Sequence, residues 1–149
     1  MFDAVLATRP RSLLDFDARL RALLAFTRTA AGASLAAANK RIANILKKST
    51  ATAEGRFDGV QAALLREPAE QGLQRAVGEL RTPVEAAIRQ RDYAAALDRL
   101  AGLRGSVDEF FDRVLVNDPD EALRRNRLAL LSELRSLFAG IADLSRLPG

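Results

Sequence analysis

Residues 107–144 read VDEFFDRVLVNDPDEALRRNRLALLSELRSLFAGIADL, and we expect the rest of the chain to pack around the stretch from Val107 to Leu147. Asp118 is suited to cap a helix here, and Pro119 to its first turn, because proline lacks the N–H that would be unpaired there. Apolar side chains then recur at helical spacing. These are Leu123, Leu130, Leu134, Leu137 and Ile141, with Leu131 and Phe138 widening the stripe. The pattern predicts a long helix buried along one side.

An arginine interrupts the apolar stripe of this helix. At about 100° per residue, Arg127 falls near the middle of the stripe, whereas Arg125 points to water. An unpaired buried charge costs several kcal/mol, so Arg127 needs a partner. The nearest candidate acid is Asp112, one predicted helix earlier. We therefore predict a structural ion pair between Asp112 and Arg127; direct contact of Arg127 with a ligand is the alternative.

Helical periodicity runs through most of the chain, and strand alternation is nearly absent. Proline and capping residues mark the predicted helix starts. These starts are Pro10, Ser34, Pro68, a second start at Thr82–Pro83, Tyr93 after the cap Asp92, and the cap Ser106. The sequence predicts an all-α helical bundle of about six or seven helices in one domain over residues 1–149, with a loop at about residues 49–59.

Composition excludes several classes of function. The 149 residues contain neither cysteine nor histidine, which removes thiol and imidazole catalysis, disulfides and nearly every zinc or haem site. No metal site is predicted. No run approaches the roughly 18 apolar residues that a membrane span requires, and the N-terminus is not that of a signal peptide. We expect a cytoplasmic protein without a membrane partner.

The positive charge of the chain is concentrated in one segment. Residues 18–53 contain seven bases and no acid, so the remainder carries −3 when the whole chain carries +4. All three lysines of the protein lie between Lys40 and Lys48. Such clustering is typical of a surface that binds a polyanion.

The predicted helix from Ser34 to Lys48 carries the sharpest chemical signal. Its apolar side faces the core, and its opposite side carries the basic residues and one amide. Lysines offer point charges for phosphates, and an asparagine offers a donor and an acceptor to a base edge or a 2′-hydroxyl. The alternative is that these bases only complement the helix dipole. The candidate RNA-binding residues are Lys40, Arg41, Asn44, Lys47 and Lys48.

Further candidates are weaker. Arg21 and Arg28 lie on the preceding predicted helix and are expected to reach phosphates if that helix lies alongside. Arg19 is a third such candidate, but it is equally able to pair with Asp15. Phe57 in the predicted loop is the aromatic residue most free to stack on a base, and an anchoring role for it is favoured over stacking.

Three blocks resemble the C-terminal part of the bacterial glycyl-tRNA synthetase β subunit. They are AAANKRIANILKK at residues 36–48, VDEFFDRVLV at residues 107–116 and LRRNRLALL at residues 123–131. The ending ADLSRL at residues 142–147 resembles the end of that subunit, and DEALR at residues 120–124 resembles the signature of DALR anticodon-binding domains. The resemblance covers nearly the whole chain and is generic only over residues 51–91.

The resemblance implies a fragment of a longer β subunit that reads the anticodon of tRNA-Gly and has no catalytic site of its own. It implies that the whole enzyme joins glycine to tRNA with ATP and Mg²⁺, used at the α subunit, and that no cofactor belongs to this fragment. The implied partners are tRNA-Gly, the α subunit and the rest of the β subunit, in an α2β2 assembly.

Two other functions compete with this interpretation. The first is a helical docking module within the synthetase, using the alanine-rich faces at residues 30–38 or 94–96, without contact to tRNA. The second is an autonomous enzyme that uses the adjacent acids Asp108 and Glu109 or Asp120 and Glu121. Neighbours in sequence point to different sides of a helix, and no base or metal constellation accompanies them, so the enzyme interpretation is the weakest.

Overall fold

The structure, a computed structural model, describes residues 2–6, 12–49 and 59–147. Over these residues the chain forms seven α-helices and two short 3-10 turns, with no strand. The helices are α1 (Phe2–Leu6), α2 (Leu13–Thr27), α3 (Ala30–Ser49), α4 (Pro68–Arg89), α5 (Tyr93–Ala101), α6 (Arg104–Arg113) and α7 (Glu121–Ala139). The 3-10 turns are Ala62–Leu64 and Leu144–Arg146. This confirms the predicted all-α class and the number of helices. Pro10 and residues 50–58 of the predicted loop lie outside the described residues.

Helix α7 supplies the largest part of the apolar core. It packs against α3, α4 and the turn Ala62–Leu64. Burying a leucine side chain fully contributes about 2 kcal/mol, so its unbroken buried run outweighs the cost of the polar residues beside it. That run is Asn126, Arg127, Leu128, Ala129, Leu130 and Leu131, followed by Leu134, Leu137 and Phe138. The buried side-chain amide of Asn126 has hydrogen-bond partners for both of its polar atoms. Its Oδ1 accepts from the backbone N–H of Gln61 at 2.7 Å, and its Nδ2 donates to the backbone carbonyl of Gln61 at 3.2 Å.

The cap of α7 differs from the prediction. Asp120, not Asp118, caps the helix: its Oδ1 accepts from the backbone amides of Ala122 at 2.9 Å and Leu123 at 3.3 Å. Asp118 instead binds the Asp120 amide and the guanidinium of Arg127. Aspartate at either position could cap the helix. Asp118 binds the buried Arg127, and Asp120 therefore provides the cap.

Helix α4 is continuous where the sequence predicted a restart. Pro83 lies inside the helix, which runs from Pro68 to Arg89. A proline in a helix interior removes one hydrogen bond and costs about 3 kcal/mol. Packing of Val77, Val84 and Ala87 on the buried side of α4, against α5, α6 and α7, offsets that cost.

Helices α2 and α3 are separated by a sharp break. Helix α3 begins at Ala30, so the predicted cap Ser34 lies inside it. The Thr29 hydroxyl donates to the Phe26 carbonyl at 2.7 Å and accepts from the Gly32 amide at 2.9 Å. A Cβ at position 32 would collide with the Phe26 carbonyl, so the break requires glycine there. No helix within the described ranges is long and apolar enough to cross a membrane.

The two ends of the described chain meet beside α3. The turn Leu144–Arg146 packs against α3 and α1, and the Asp143 amide donates to the Ala4 carbonyl at 3.0 Å. Arg19 on α2 fastens the same region because its Nη1 donates to the carbonyls of Gly140 at 2.7 Å and Ile141 at 3.0 Å. These bonds fix the C-terminal turn as a wall next to α3.

Candidate nucleic-acid interface

The predicted RNA-binding residues lie together on the outer side of α3. We call this set the α3 strip; it comprises Lys40, Arg41, Asn44, Lys47 and Lys48. Leu35, Asn39, Ile42 and Leu46 are buried on the inner side of the helix. Lys40 is half-buried and the other four members are exposed. The helix itself contains no acid, so its outer side is cationic over its last three turns.

A groove lies between the α3 strip and the C-terminal turn. This first cavity has a volume of about 650 Å³. Four cationic side chains line it, two from α3, one from α7 and one from the last turn: Lys40, Lys47, Arg135 and Arg146. Asn44 and Ser145 add neutral polar groups. Such a composition suits a phosphate-bearing ligand.

Among the described residues that line the first cavity, Asp143 is the one acid. Its carboxylate lies 3.4 Å from Arg146 Nε and 3.8 Å from Arg135 Nη2, and Oδ1 accepts from the Ser145 amide at 3.1 Å. Burial by itself raises the pKa of Asp143, but the Ser145 hydrogen bonds and the two arginine charges outweigh it and hold that pKa below 3.8. The acid is therefore ionised at neutral pH, and the groove keeps a net positive charge.

A second cavity lies on the other side of the α3 C-terminus. It has a volume of about 500 Å³ and reaches from α3 to the segment that joins α6 to α7. Its lining is Ile45, Lys48, Ser49, Val116, Asn117, Arg124 and Leu128. Arg124 is held against its wall because Nη1 donates to the Asp118 carbonyl at 3.1 Å. The α3 strip thus borders two cavities of different composition.

Arg41 is positioned by α6. Its guanidinium lies 4.3 Å from the centre of the Phe111 ring, and Phe111 in turn packs edge-to-face on the buried Phe110. A guanidinium over an aromatic face is held in place while its N–H groups stay available to solvent or to a ligand. Arg41 therefore extends the strip toward α6.

The weaker RNA-binding candidates have different positions and roles in the structure. Arg21 is exposed on α2 and pairs with Asp17 at 2.8 Å, and Arg28 is exposed just after α2; neither lines the first or the second cavity. Arg19 has the structural role that the sequence offered as its alternative, since its Nε donates to Asp15 at 2.9 Å. Phe57 lies outside the described residues.

The buried cluster around Arg127 does not contain the predicted partner. Its Nη2 lies 3.1 Å from Glu70 Oε1, and its Nη1 donates to Asp118 Oδ2 at 3.2 Å and to the Leu115 carbonyl at 2.6 Å. The predicted pair between Asp112 and Arg127 is wrong: Asp112 is exposed on α6. Burial of Arg127 is confirmed, at 4% exposure. Burial lowers the pKa of Arg127, but its hydrogen bond to Glu70 and the charges of Glu70 and Asp118 raise that pKa by more.

Sequence reasoning found the α3 strip but missed several residues around it. Arg135 and Arg146 belong to C-terminal elements whose periodicity gives no sign that they face α3. Asn117 lies in the connector between α6 and α7, where no local pattern marks a site. Arg124 lies at the edge of the predicted apolar stripe of α7, where the sequence favours a structural role at least as much as contact with tRNA. Each of these positions is set by tertiary packing rather than by local spacing.

Comparisons with known proteins give an independent line of information. Residues 35–144 match the family described as the DALR anticodon binding domain. The chain is 49% identical over 145 residues to the glycine–tRNA ligase beta subunit of Haemophilus influenzae strain PittEE, covering 97% of this chain and 20% of the relative. Against the same subunit of Leptothrix cholodnii it is 50% identical over 145 residues, with the same coverage of 97% and 20%.

A third relative extends the match slightly. The chain is 48% identical over 147 residues to the glycine–tRNA ligase beta subunit of Actinobacillus pleuropneumoniae serotype 7, covering 99% of this chain and 21% of the relative. The chain spans about a fifth of the length of the curated relatives it matches. The family match takes in most of α3, the connector and all of α7, which together border both cavities. The chain therefore belongs to the family of DALR anticodon-binding domains.

Proposed function

We propose that this chain binds the anticodon arm of tRNA-Gly, as the anticodon-binding part of a glycine–tRNA ligase beta subunit. The observation that carries the proposal is the first cavity, where Lys40 and Lys47 of α3 face Arg135 and Arg146 across one groove. Membership of the DALR family and the similarity to beta subunits of glycine–tRNA ligases support it.

In the proposed mechanism the cations of the first cavity attract the RNA phosphates, and the side-chain amide of Asn44 recognises a base. Cations that neutralise RNA phosphates release condensed counterions, which gives affinity that falls steeply with salt. Single-stranded loop bases expose their edges, and a side-chain amide such as Asn44 offers both a donor and an acceptor to them. In this mechanism the chain performs no chemistry; it holds the tRNA.

The activity of a whole ligase is part of the same proposal. Because the chain spans only a fifth of its relatives, the remaining four fifths and a separate α subunit would supply glycine, ATP and Mg²⁺ chemistry. The proposed partners are therefore tRNA-Gly, the α subunit and the rest of the beta subunit, assembled as α2β2. The cytoplasm is the proposed compartment.

The test is a titration of the 149-residue chain with tRNA-Gly and with a tRNA of different anticodon, at several salt concentrations. We expect preference for tRNA-Gly and a steep loss of affinity with salt. Replacing Lys40 and Lys47 by alanine should lower the slope of log K against log salt by about 1.5, since each phosphate contact contributes about 0.7–0.9. An unchanged slope would overturn the proposal.

A charge-matched control separates local contacts from net charge. Arg75→Ala with Arg89→Ala removes two exposed cations from α4, and neither residue lines the first or the second cavity. This control should change the salt slope by less than about 0.5 if specific phosphate contacts dominate. Equal effects of the two double variants would indicate only a general attraction to polyanions.

A docking function is the second candidate, and a different surface favours it. Phe2, Leu6, Leu13 and Leu14 are exposed large apolar side chains on α1 and α2, with Leu13 and Leu14 at 87% and 83% exposure. The rest of the beta subunit would cover these side chains on the adjoining helices α1 and α2, because large exposed apolar groups mark contact sites. Leu13→Ser with Leu14→Ser should weaken association with the remainder of the subunit and leave RNA binding unchanged.

A further inference from the structure

The second cavity differs from the first in having an apolar floor. Leu128 is buried, and Ile45 and Val116 are half-buried. These aliphatic groups come from α7, α3 and the connector, so three separate elements converge on the cavity. An apolar floor offers nothing to a phosphate, but it suits the flat face of a nucleobase, whose burial removes apolar surface from water.

The rim of the second cavity carries positive charge. Lys48 and Arg124 stand on the two elements that flank the floor, and no acid is among the described residues that line it. A base that leaves its stack brings a phosphate on each side, so cations around an apolar floor match the charge pattern of one extruded nucleotide. The volume of about 500 Å³ is within the range of small-molecule pockets.

Asn117 provides the group that distinguishes one base from another. Its exposed side chain reaches the cavity from the connector and carries both an acceptor oxygen and donor N–H groups. The buried Arg127 holds this connector on both sides of Asn117, through the Leu115 carbonyl at 2.6 Å and Asp118 at 3.2 Å. Because the connector is held in this way, its backbone loses little conformational entropy when the Asn117 side chain binds a ligand.

We propose that the second cavity receives one unstacked base of a single-stranded RNA loop. The base packs on Ile45, Val116 and Leu128, Asn117 hydrogen-bonds to its edge, and Lys48 and Arg124 contact the flanking phosphates. Arg127 is a positioning residue that holds the connector. This inference rests on the proposed function, because the loop is brought to the cavity by the α3 strip.

The experiment uses the 149-residue chain and a hairpin RNA with the sequence of the tRNA-Gly anticodon arm. Each loop nucleotide is replaced in turn by an abasic one, which keeps the phosphate and removes the base. Contacts to one base contribute about 1–3 kcal/mol, so removal at one loop position should weaken binding by about tenfold or more.

Two matched asparagine-to-alanine variants test whether that base binds in the second cavity. With Asn117→Ala, the intact hairpin should bind about tenfold more weakly, and the abasic change at the sensitive position should then cost less than about threefold. Asn44→Ala makes the same substitution at the first cavity, and it should keep the full abasic penalty at that position. Both asparagines are exposed, so neither change should disturb the fold.

The outcomes separate the two proposals. If the hairpin binds with a steep salt dependence but Asn117→Ala leaves every abasic penalty unchanged, the base pocket is overturned and the proposed function stands. The base pocket is also overturned if no loop position is sensitive. If the hairpin and the whole tRNA both fail to bind, the proposed function fails and the pocket proposal fails with it.

Discussion

The guanidinium of Arg127 lies 3.1 Å from the carboxylate of Glu70, and both side chains are buried. Glu70 also closes the N-terminus of α4, because its Oε1 accepts from the Glu67 amide at 3.0 Å. One carboxylate therefore serves a helix cap and an ion pair between α4 and α7, and Arg127 extends this link to the connector between α6 and α7.

Glu70→Ala is expected to destabilise the protein strongly. Glu70 is the fully buried carboxylate partner of Arg127. Its removal leaves the guanidinium with only the partly exposed Asp118 and the Leu115 carbonyl and also opens the α4 cap, so we expect a cost of about 3 kcal/mol. Asp112→Ala is the control, because Asp112 is exposed and its loss should change the free energy of unfolding by less than about 0.5 kcal/mol. Urea denaturation of both variants at neutral pH measures the difference. A larger effect of Asp112→Ala would contradict the observed pairing.

Two glycine-to-alanine substitutions are expected to act in opposite directions. At Gly32 a Cβ would collide with the Phe26 carbonyl, and backbone cannot yield cheaply, so Gly32→Ala should cost about 1–3 kcal/mol. At Gly78, inside α4, a Cβ meets nothing within 4 Å, so Gly78→Ala should stabilise by about 0.5–1 kcal/mol. Thermal or urea unfolding checks both signs. A neutral or stabilising Gly32→Ala would show that the break between α2 and α3 does not require glycine, and a destabilising Gly78→Ala would contradict the second prediction.

Acid should weaken the contact between Asp15, Arg19 and Tyr93. Burial raises the pKa of Asp15, but hydrogen bonds from Tyr93 and Arg19 and the charge of Arg19 outweigh it and hold that pKa below 3.8. A carboxylate with a lowered pKa in the folded state contributes stability above its unfolded pKa and loses it as pH falls through the folded value.

Asp15→Asn should therefore lower the free energy of unfolding by about 2 kcal/mol at pH 7, and the difference from wild type should shrink as pH falls below about 4. Asp17→Asn is the control on the same helix. Asp17 and its partner Arg21 are both more than half exposed, at 54% and 79%, so the control should stay within about 0.5 kcal/mol of wild type. Urea unfolding from pH 3 to pH 7 distinguishes the two variants, and parallel curves would contradict the prediction.

Arg135 and Arg146 should contribute to RNA binding, although no local sequence pattern marks either residue. Their joint replacement by alanine removes two charges from the first cavity and leaves Asp143 without its guanidinium partners. We expect the slope of log K against log salt to fall by about 1.5. Arg89→Ala with Arg99→Ala, which removes exposed cations on α4 and α5, is the control. Indistinguishable slopes would exclude the C-terminal turn from the interface.

The helices and the α3 strip were predictable because each is determined by residues that are close together in the sequence. Apolar residues at helical spacing gave α7 its buried side, and the acid-free segment with all three lysines marked the outer side of α3. The start of α5 was predictable for the same reason, since Asp92 accepts from the Ala95 amide at 3.1 Å as a cap should.

The remaining features depend on residues that are distant in sequence. Glu70 is 57 residues from Arg127, and no spacing rule connects them. Chain proximity favoured Asp112 instead, although its side chain leaves α6 toward solvent. Pro83 was expected to interrupt α4, and the packing of that helix against three others overrides the local penalty.

The hydrogen bond between the Asp143 amide and the Ala4 carbonyl joins the last described turn to the first helix. While the chain emerges from the ribosome, α3 and its lysines are exposed well before Arg135 and Arg146 have been synthesised. A nascent chain at that stage has the side of the groove that α3 provides and lacks the side that carries Arg135 and Arg146. The groove that we propose to bind tRNA is therefore complete only when the C-terminal turn has docked, so we expect RNA binding only after this region has been translated.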